Sequence, residues 1–199
     1  MPIEFNTDPT SKPDPAKSRL AVSLFRMGLI VLPLLFVLLL KSLVFDTTLV
    51  ISNSMLPTLK KGDYLLTDHR LSLRKTWKRG DIVVFTSPAG WDYPGETLVK
   101  RIVGMPGEVI HYTNGRLHIG DAVPVEPYLR EPPDSEQRAP VTLGPNQYWV
   151  LGDNRNESDD SSENGPINES DIQSRAVYRV LPWGRRGSVY GERATLKVE

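Results

Sequence analysis

Cysteine is absent from the 199 residues. That absence excludes disulfides, a thiolate nucleophile and cysteine-ligated zinc, and it leaves the redox compartment open. Histidine is nearly absent too: His69, His111 and His118 are the only three. His111 and His118 flank Asn114-Gly115, a pair that reads as a hairpin turn. All three histidines are therefore read as surface or strand residues rather than as metal ligands or catalytic bases. Neither sign of charge is in excess, with 24 basic residues against 24 acidic ones. A nucleic-acid-binding domain is expected to be basic, so no nucleic-acid partner is expected. No internal repeat is present, and the residues call for no metal and no cofactor.

With 39% hydrophobic residues, the composition suits one folded domain with appendages. Residues 1–19 are rich in Pro, Asp, Lys, Ser and Thr and have little to bury, which predicts a disordered tail. Residues 20–45 hold the only strongly apolar stretch, with an uninterrupted core between Arg26 and Lys41. Crossing the hydrocarbon takes about 20 residues. Adding Leu43, Val44 and Phe45 supplies that length if Lys41 snorkels toward the headgroups. Pro33 is tolerated in a bilayer helix. The chain continues Lys41-Ser42-Leu43-Val44-Phe45-Asp46, with no small-residue cleavage site, so a retained transmembrane helix is expected rather than a removed leader. Lys12, Lys17, Arg19 and Arg26 precede the apolar core and only Lys41 follows closely. That asymmetry places the N-terminus in the cytoplasm and everything past residue 45 outside a single-pass inner (plasma) membrane anchor.

Beyond the anchor, short runs rich in branched and aromatic residues occupy 48–51, 64–67, 81–86, 98–103, 109–112, 116–119, 148–151 and 176–180. Gly-Asp, Pro-Gly, Asn-Gly and Gly-Pro pairs separate them, which predicts a mainly β domain over residues 46–186. The helical candidate among them is a short turn at 68–75. Residues 120–147, dense in proline and charge, read as a small loop-rich excursion. Residues 187–199 read as a loosely held tail.

Two residue types suggest chemistry. Ser54 lies just past the apolar stretch, and Lys100 lies within the run Leu98-Val99-Lys100-Arg101-Ile102-Val103-Gly104. A serine hydroxyl needs a base within hydrogen-bond reach to act as a nucleophile. Lysine serves as that base if burial in an apolar setting keeps it neutral. Strand alternation puts Lys100 on one face with Leu98 and Ile102, and Arg101 on the other with Val99 and Val103. One of the two cations must then enter an apolar face, and lysine is the one able to shed its proton. The ordinary readings stand beside this one: a turn serine that is merely solvated, an edge-strand lysine that guards against aggregation, and a Ser52 hydroxyl that satisfies a strand end. Residues 152–161 read either as an acidic surface loop or as part of a site, and they lack the glycine of an EF-hand. Arg79-Gly80-Asp81 reads as a turn into a strand.

Several motifs, in order, carry a resemblance. Ser52-Asn53-Ser54-Met55-Leu56-Pro57-Thr58-Leu59 resembles the nucleophile box S-x-S-M-x-P-T-L of type I signal peptidases. Arg79-Gly80-Asp81-Ile82-Val83-Val84-Phe85 resembles the strand box that follows it, and Lys100-Arg101-Ile102-Val103-Gly104-Met105-Pro106-Gly107-Glu108 the lysine box. Gly152-Asp153-Asn154-Arg155 through Ser158, Asp160 and Ser161 matches G-D-N-R-x-x-S-x-D-S. The likeness runs over residues 46–186.

The resemblance implies a mainly β fold, an antiparallel and barrel-like catalytic domain held at the outer membrane face behind one N-terminal transmembrane helix. It implies a serine endopeptidase that removes signal peptides from exported preproteins, its partners being those preproteins and membrane lipid. Ser54 would be the nucleophile, Lys100 the general base, Ser52 an oxyanion-stabilising hydroxyl and Ser158 the residue that orients the lysine. Asp153 and Asp160 would be structural supports. Val50, Ile51, Leu59, Leu98 and Val99 would line pockets selecting small residues, as in Ala-x-Ala sites. Met55 and Leu56 would either pack in the core or dip into the bilayer surface. One departure stands out: many relatives continue the last box as D-S-R, whereas this chain has Asp160-Ser161-Ser162. Arg155 or Arg175 would then be the candidates to compensate Asp160. Two other readings remain at this point: a specialised maturation peptidase of a conjugation or secretion apparatus, and a catalytically inactive tethered binding domain.

Overall fold

The computed structural model describes residues 15–70, 76–129, 131, 139–191 and 195–198. Most of the expected tail and of the helical turn at 68–75 therefore lies outside the described residues. The chain divides between Leu43 and Val44 into two units.

The first unit is helix α1, Pro15–Val44, with Pro33 inside it. Its 18-residue stretch Val22–Leu39 is apolar and unburied along its length. A helix with no polar face suits lipid, and at about 1.5 Å per residue this stretch spans about 27 Å, close to a bilayer's hydrocarbon thickness.

The second unit is built from antiparallel strands. β1 (Phe45–Leu49), β2 (Tyr64–Asp68), β3 (Ile82–Thr86) and β4 (Thr97–Gly104) precede a hairpin of β5 (Val109–Thr113) and β6 (Arg116–Ile119). β7 (Ala122–Val125), β8 (Val141–Thr142), β9 (Gln147–Leu151), a one-turn helix α2 (Ser161–Asn164) and β10 (Ile167–Asn168) follow. The last strands are β11 (Ile172–Leu181), β12 (Gly187–Ser188) and β13 (Thr195–Val198). The large sheet runs β1-β2-β11-β3-β4-β9-β10, with β12 added to β11, and the small sheet runs β13-β7-β6-β5-β8.

Alternation explains the core. Val83 and Phe85 of β3, Ile102 of β4, and Tyr148 and Val150 of β9 pack in one cluster with Trp77, Trp91, Ile167 and Ile172. Their strand neighbours point the other way: Ile82 joins Val50, Met55, Leu59 and Leu65, while Val103, Trp149 and Leu151 join Ile110, Leu117 and Leu143 of the small-sheet region. Both faces of the central strands are thus covered, so β3 and most of β9 read in the sequence as apolar runs, while β4 is apolar apart from Lys100 and Arg101 at its centre. At the predicted Asn114-Gly115 turn both residues have positive φ, 52° and 73°, as a tight hairpin of this kind requires.

Two regions hold more strand than local reading suggests. Residues 120–147, read as loop-rich, also supply β7 and β8 to the small sheet. Pro124 argues against a strand when read locally, and β7 is held by pairing with β13, far away in sequence. The C-terminal segment is not a loose tail either. Val189 is buried in a core cluster, Tyr190 Oη donates to Ala176 O at 2.6 Å, and β12 and β13 are both paired. Of these anchors, the Tyr190 hydroxyl contact and the β13 pairing have partners that no local pattern reveals.

Candidate active site

The segment after β1 is pinned from below. Val50, Met55 and Leu59 are buried in one cluster. Leu59 N donates to Met55 O at 2.8 Å, closing one tight turn, and the Leu56-Pro57 peptide within it is cis. Asp63 ties down the base of this loop: it accepts from Lys60 N at 2.9 Å and pairs with Arg185 Nη1 at 2.8 Å. Burying the apolar members of the loop leaves its serines on top. Ser54 is largely buried, Ser52 is exposed, and their hydroxyl oxygens lie 3.1 Å apart.

Lys100 comes from β4, with only 3% of its surface exposed. Its Nζ donates to Ser158 Oγ at 3.0 Å. Ser158 in turn donates to Asp160 Oδ2, which also accepts from Gly152 N at 2.8 Å. Burial drives the Lys100 amine below its ordinary pKa, and the carboxylates of Asp160, Asp159 and Asp153 oppose that shift without cancelling it. The amine is thus easier to deprotonate than an exposed lysine.

Arg101, the next residue, is buried as well, so both cations of the strand enter the interior. They are handled differently. Arg101 donates Nε and Nη2 to the two oxygens of Asp153 at 2.8 and 2.6 Å, donates Nη1 to Gly80 O at 3.0 Å, and lies 3.9 Å from the centre of the Tyr128 ring. It is fully paired and stays charged, whereas Lys100 has a neutral hydroxyl as its hydrogen-bond partner.

The loop from Gly152 locks the two halves together. Asn154 N donates to Ser54 O at 2.9 Å, and Thr58 Oγ1 donates to Asp153. The backbones approach so closely that a Cβ on Gly152 would meet Ser158 Oγ and come within 2.5 Å of Ser54 O.

Ser52, Ser54 and Lys100 line one cavity of about 880 Å³, together with Val50, Ile51, Leu98 and Val99. Residues of β1 and β4 share this cavity although β2, β11 and β3 lie between them in the sheet, which reflects how strongly the sheet coils. Leu59 does not line it. It is wholly buried beneath the serine loop, packed with Val50 and Met55. Met55 is likewise a core residue at 1% exposure and is not placed to touch a bilayer. None of the three histidines lines the cavity; His111 and His118 stack on each other across the β5–β6 hairpin.

Asp160 is satisfied without an arginine. Its Oδ1 accepts from both Ser162 N at 3.0 Å and Ser162 Oγ at 2.7 Å, so Ser162, at the position where the resemblance led to the expectation of an arginine, takes up the carboxylate itself. Neither expected substitute is used: Arg155 pairs with Glu126, and Arg175 with Asp81. Sequence reasoning missed Thr58, Gly152 and Ser162 as parts of the site. Thr58 and Gly152 sit inside the boxes quoted above, the available signal, whereas a serine at 162 gives none.

Comparison with known proteins identifies the family. The family model described as "Signal peptidase, peptidase S26" matches residues 23–183. Signal peptidase I of Leptolyngbya laminosa is 36% identical over 75% of this chain and 75% of its own length. Signal peptidase I U of Bacillus subtilis is 34% identical over 68% of this chain and 75% of its own, and signal peptidase I T of the same organism is 33% identical over 77% and 83%. On the span of the family match and the identity to these relatives, the chain belongs to the signal peptidase family, peptidase S26.

Proposed function

We propose that this protein is a membrane-anchored serine endopeptidase that removes signal peptides from exported preproteins, with Ser54 as nucleophile and Lys100 as general base. The observation that carries the reading is the buried Lys100 amine, destabilised as a cation and opening onto the same cleft as Ser54. Neutral Lys100 takes the Ser54 proton as Oγ attacks the scissile carbonyl carbon. The Ser52 hydroxyl, 3.1 Å from Ser54 Oγ, and the Ser54 backbone N–H face the developing oxyanion, each worth roughly 3 kcal/mol in comparable sites. The protonated amine then passes its proton to the leaving amine, which frees the mature protein and leaves the signal peptide esterified to Ser54. Water, deprotonated by the same lysine, hydrolyses the ester. Ser158 holds the amine in place, and Asp160 and Asp153 hold the loop.

An extended peptide lies in the cleft as an added strand, with alternate side chains reaching Val50, Ile51, Leu98 and Val99. Crowding by these branched residues favours Ala at the first and third positions before the scissile bond. The N-terminal helix tethers the enzyme, with the N-terminus cytoplasmic and the β unit outside.

The test is cleavage of a preprotein carrying an Ala-x-Ala site by the detergent-solubilised full-length chain. Wild type cuts after the second Ala, while Ser54→Ala and Lys100→Ala stay folded and leave the substrate intact. A wild type inert on varied preproteins, or either variant cutting normally, contradicts the reading.

A further inference from the structure

Among the described residues none from the small sheet lines the cleft, yet the chain leaving that sheet reaches the loop that holds Lys100. Glu126 follows β7 directly. Its carboxylate pairs with Arg155, and the two side chains are only 8% and 6% exposed. Tyr128 Oη donates to the same carboxylate oxygen, and the Tyr128 ring lies against the Arg101 guanidinium. Burial opposes the charge on Arg155, but the Glu126 carboxylate outweighs it, so this guanidinium is firmly ionised.

Arg155 spends its fork in two directions. Nη2 donates to Glu126, and Nε donates to Gly152 O at 3.0 Å. Gly152 N donates at 2.8 Å to Asp160 Oδ2, the oxygen that also accepts from Ser158 Oγ. Ser158 Oγ receives Lys100 Nζ at 3.0 Å. An unbroken chain of contacts thus runs from the exit of the small sheet to the amine. A buried ion pair is weak evidence for stability, so this one invites a role in fixing a single geometry.

We propose that Glu126 is a positioning residue: it aims Arg155 at Gly152 and so fixes the 152–160 loop with the Ser158 oxygen facing the Lys100 amine. This rests on Lys100 being the base. It assigns the small sheet a function, as a brace outside the cleft that acts on the catalytic loop. Because Val50, Ile51, Leu98 and Val99 are untouched, loss of the brace affects turnover rather than peptide binding.

Three variants of the full-length enzyme test the proposal with an Ala-x-Ala preprotein, next to wild type and Lys100→Ala. Glu126→Gln leaves Arg155 without its counter-charge. Arg155→Lys keeps the charge but cannot reach both Glu126 and Gly152 O with one ammonium. The double variant Glu126→Gln/Arg155→Met removes both charges, so no buried ion is left alone. Both single variants are expected to lower kcat about tenfold or more with KM within about twofold. The double variant is expected to recover Tm while kcat stays low, since nothing holds Gly152 O. Wild-type kcat in the folded double variant, or a Glu126→Gln enzyme that loses only Tm, overturns the proposal. Normal cleavage by Lys100→Ala removes its basis whatever Glu126 does, which separates failure of the brace from failure of the base assignment.

Discussion

Lys100 and Arg101 are neighbours on one strand and both are buried, yet they meet opposite demands. Arg101 has a bidentate carboxylate, while Lys100 has a hydroxyl. Removing the charge of Asp153 leaves a buried guanidinium uncompensated, so Asp153→Asn is predicted to cost about 3–5 kcal/mol in urea unfolding. For Lys100 the sign follows from linkage. Unfolded, the amine titrates near 10.5; folded, it titrates lower. Between those values the unfolded chain binds more protons, so stability rises with pH. The cost of burying the ammonium is largest below the folded pKa and gone above 10.5. Lys100→Met, which has no such dependence, should therefore gain on wild type in Tm as the pH falls from 10.5, and a constant difference across that range contradicts the depressed pKa. Gly152→Ala tests close packing rather than charge: its Cβ collides with Ser158 and Ser54, and activity should be lost even where the protein folds.

Among the elements, the C-terminal segment shows what local patterns miss. Val189 and Tyr190 lie beyond the last long strand, yet the Tyr190 hydroxyl accepts from Ile82 N at 3.2 Å and donates to Ala176 O. Tyr190→Phe should cost about 1–3 kcal/mol, because two buried backbone groups lose their partner. A variant with wild-type Tm would show that water replaces the hydroxyl. Strands β3, β4 and β9 were legible because branched and aromatic residues dominate both faces, Lys100 and Arg101 apart, and the β5–β6 hairpin because Asn114 and Gly115 both tolerate the positive φ that a tight turn needs. β7 was not, since Pro124 masks it and its partner lies some seventy positions later, at Leu196. The candidate site was legible to the same degree. Ser54, Lys100 and Ser158 sit in dense local motifs and come together in space. Leu59 sits in one of those motifs too but faces the core, because the turn that carries Ser54 to the cavity packs Met55 and Leu59 beneath it. The Ser162 contact with Asp160 was missed because it forms only once Asp160 caps the one-turn helix α2 and Ser162 turns back onto its carboxylate.

For the molecule as a whole, an apolar helix precedes a β unit that carries the cleft, as suits a membrane-associated family. The cysteine-free sequence makes the proposed topology easy to probe. In intact cells a membrane-impermeant thiol reagent should label Lys61→Cys and reach Thr10→Cys only after permeabilisation, and the reverse pattern contradicts an exported β unit. In the proposed function the chemistry rests on one proton. The measurement that tests it most directly is kcat/KM against pH for wild type and Lys100→Ala, on a preprotein with an Ala-x-Ala site. The account predicts a wild-type rise along one ionisation with a midpoint below 10.5, and no cleavage by the variant at any pH. A flat wild-type profile, or a variant that cleaves along the same curve, contradicts the assignment of Lys100 as the base.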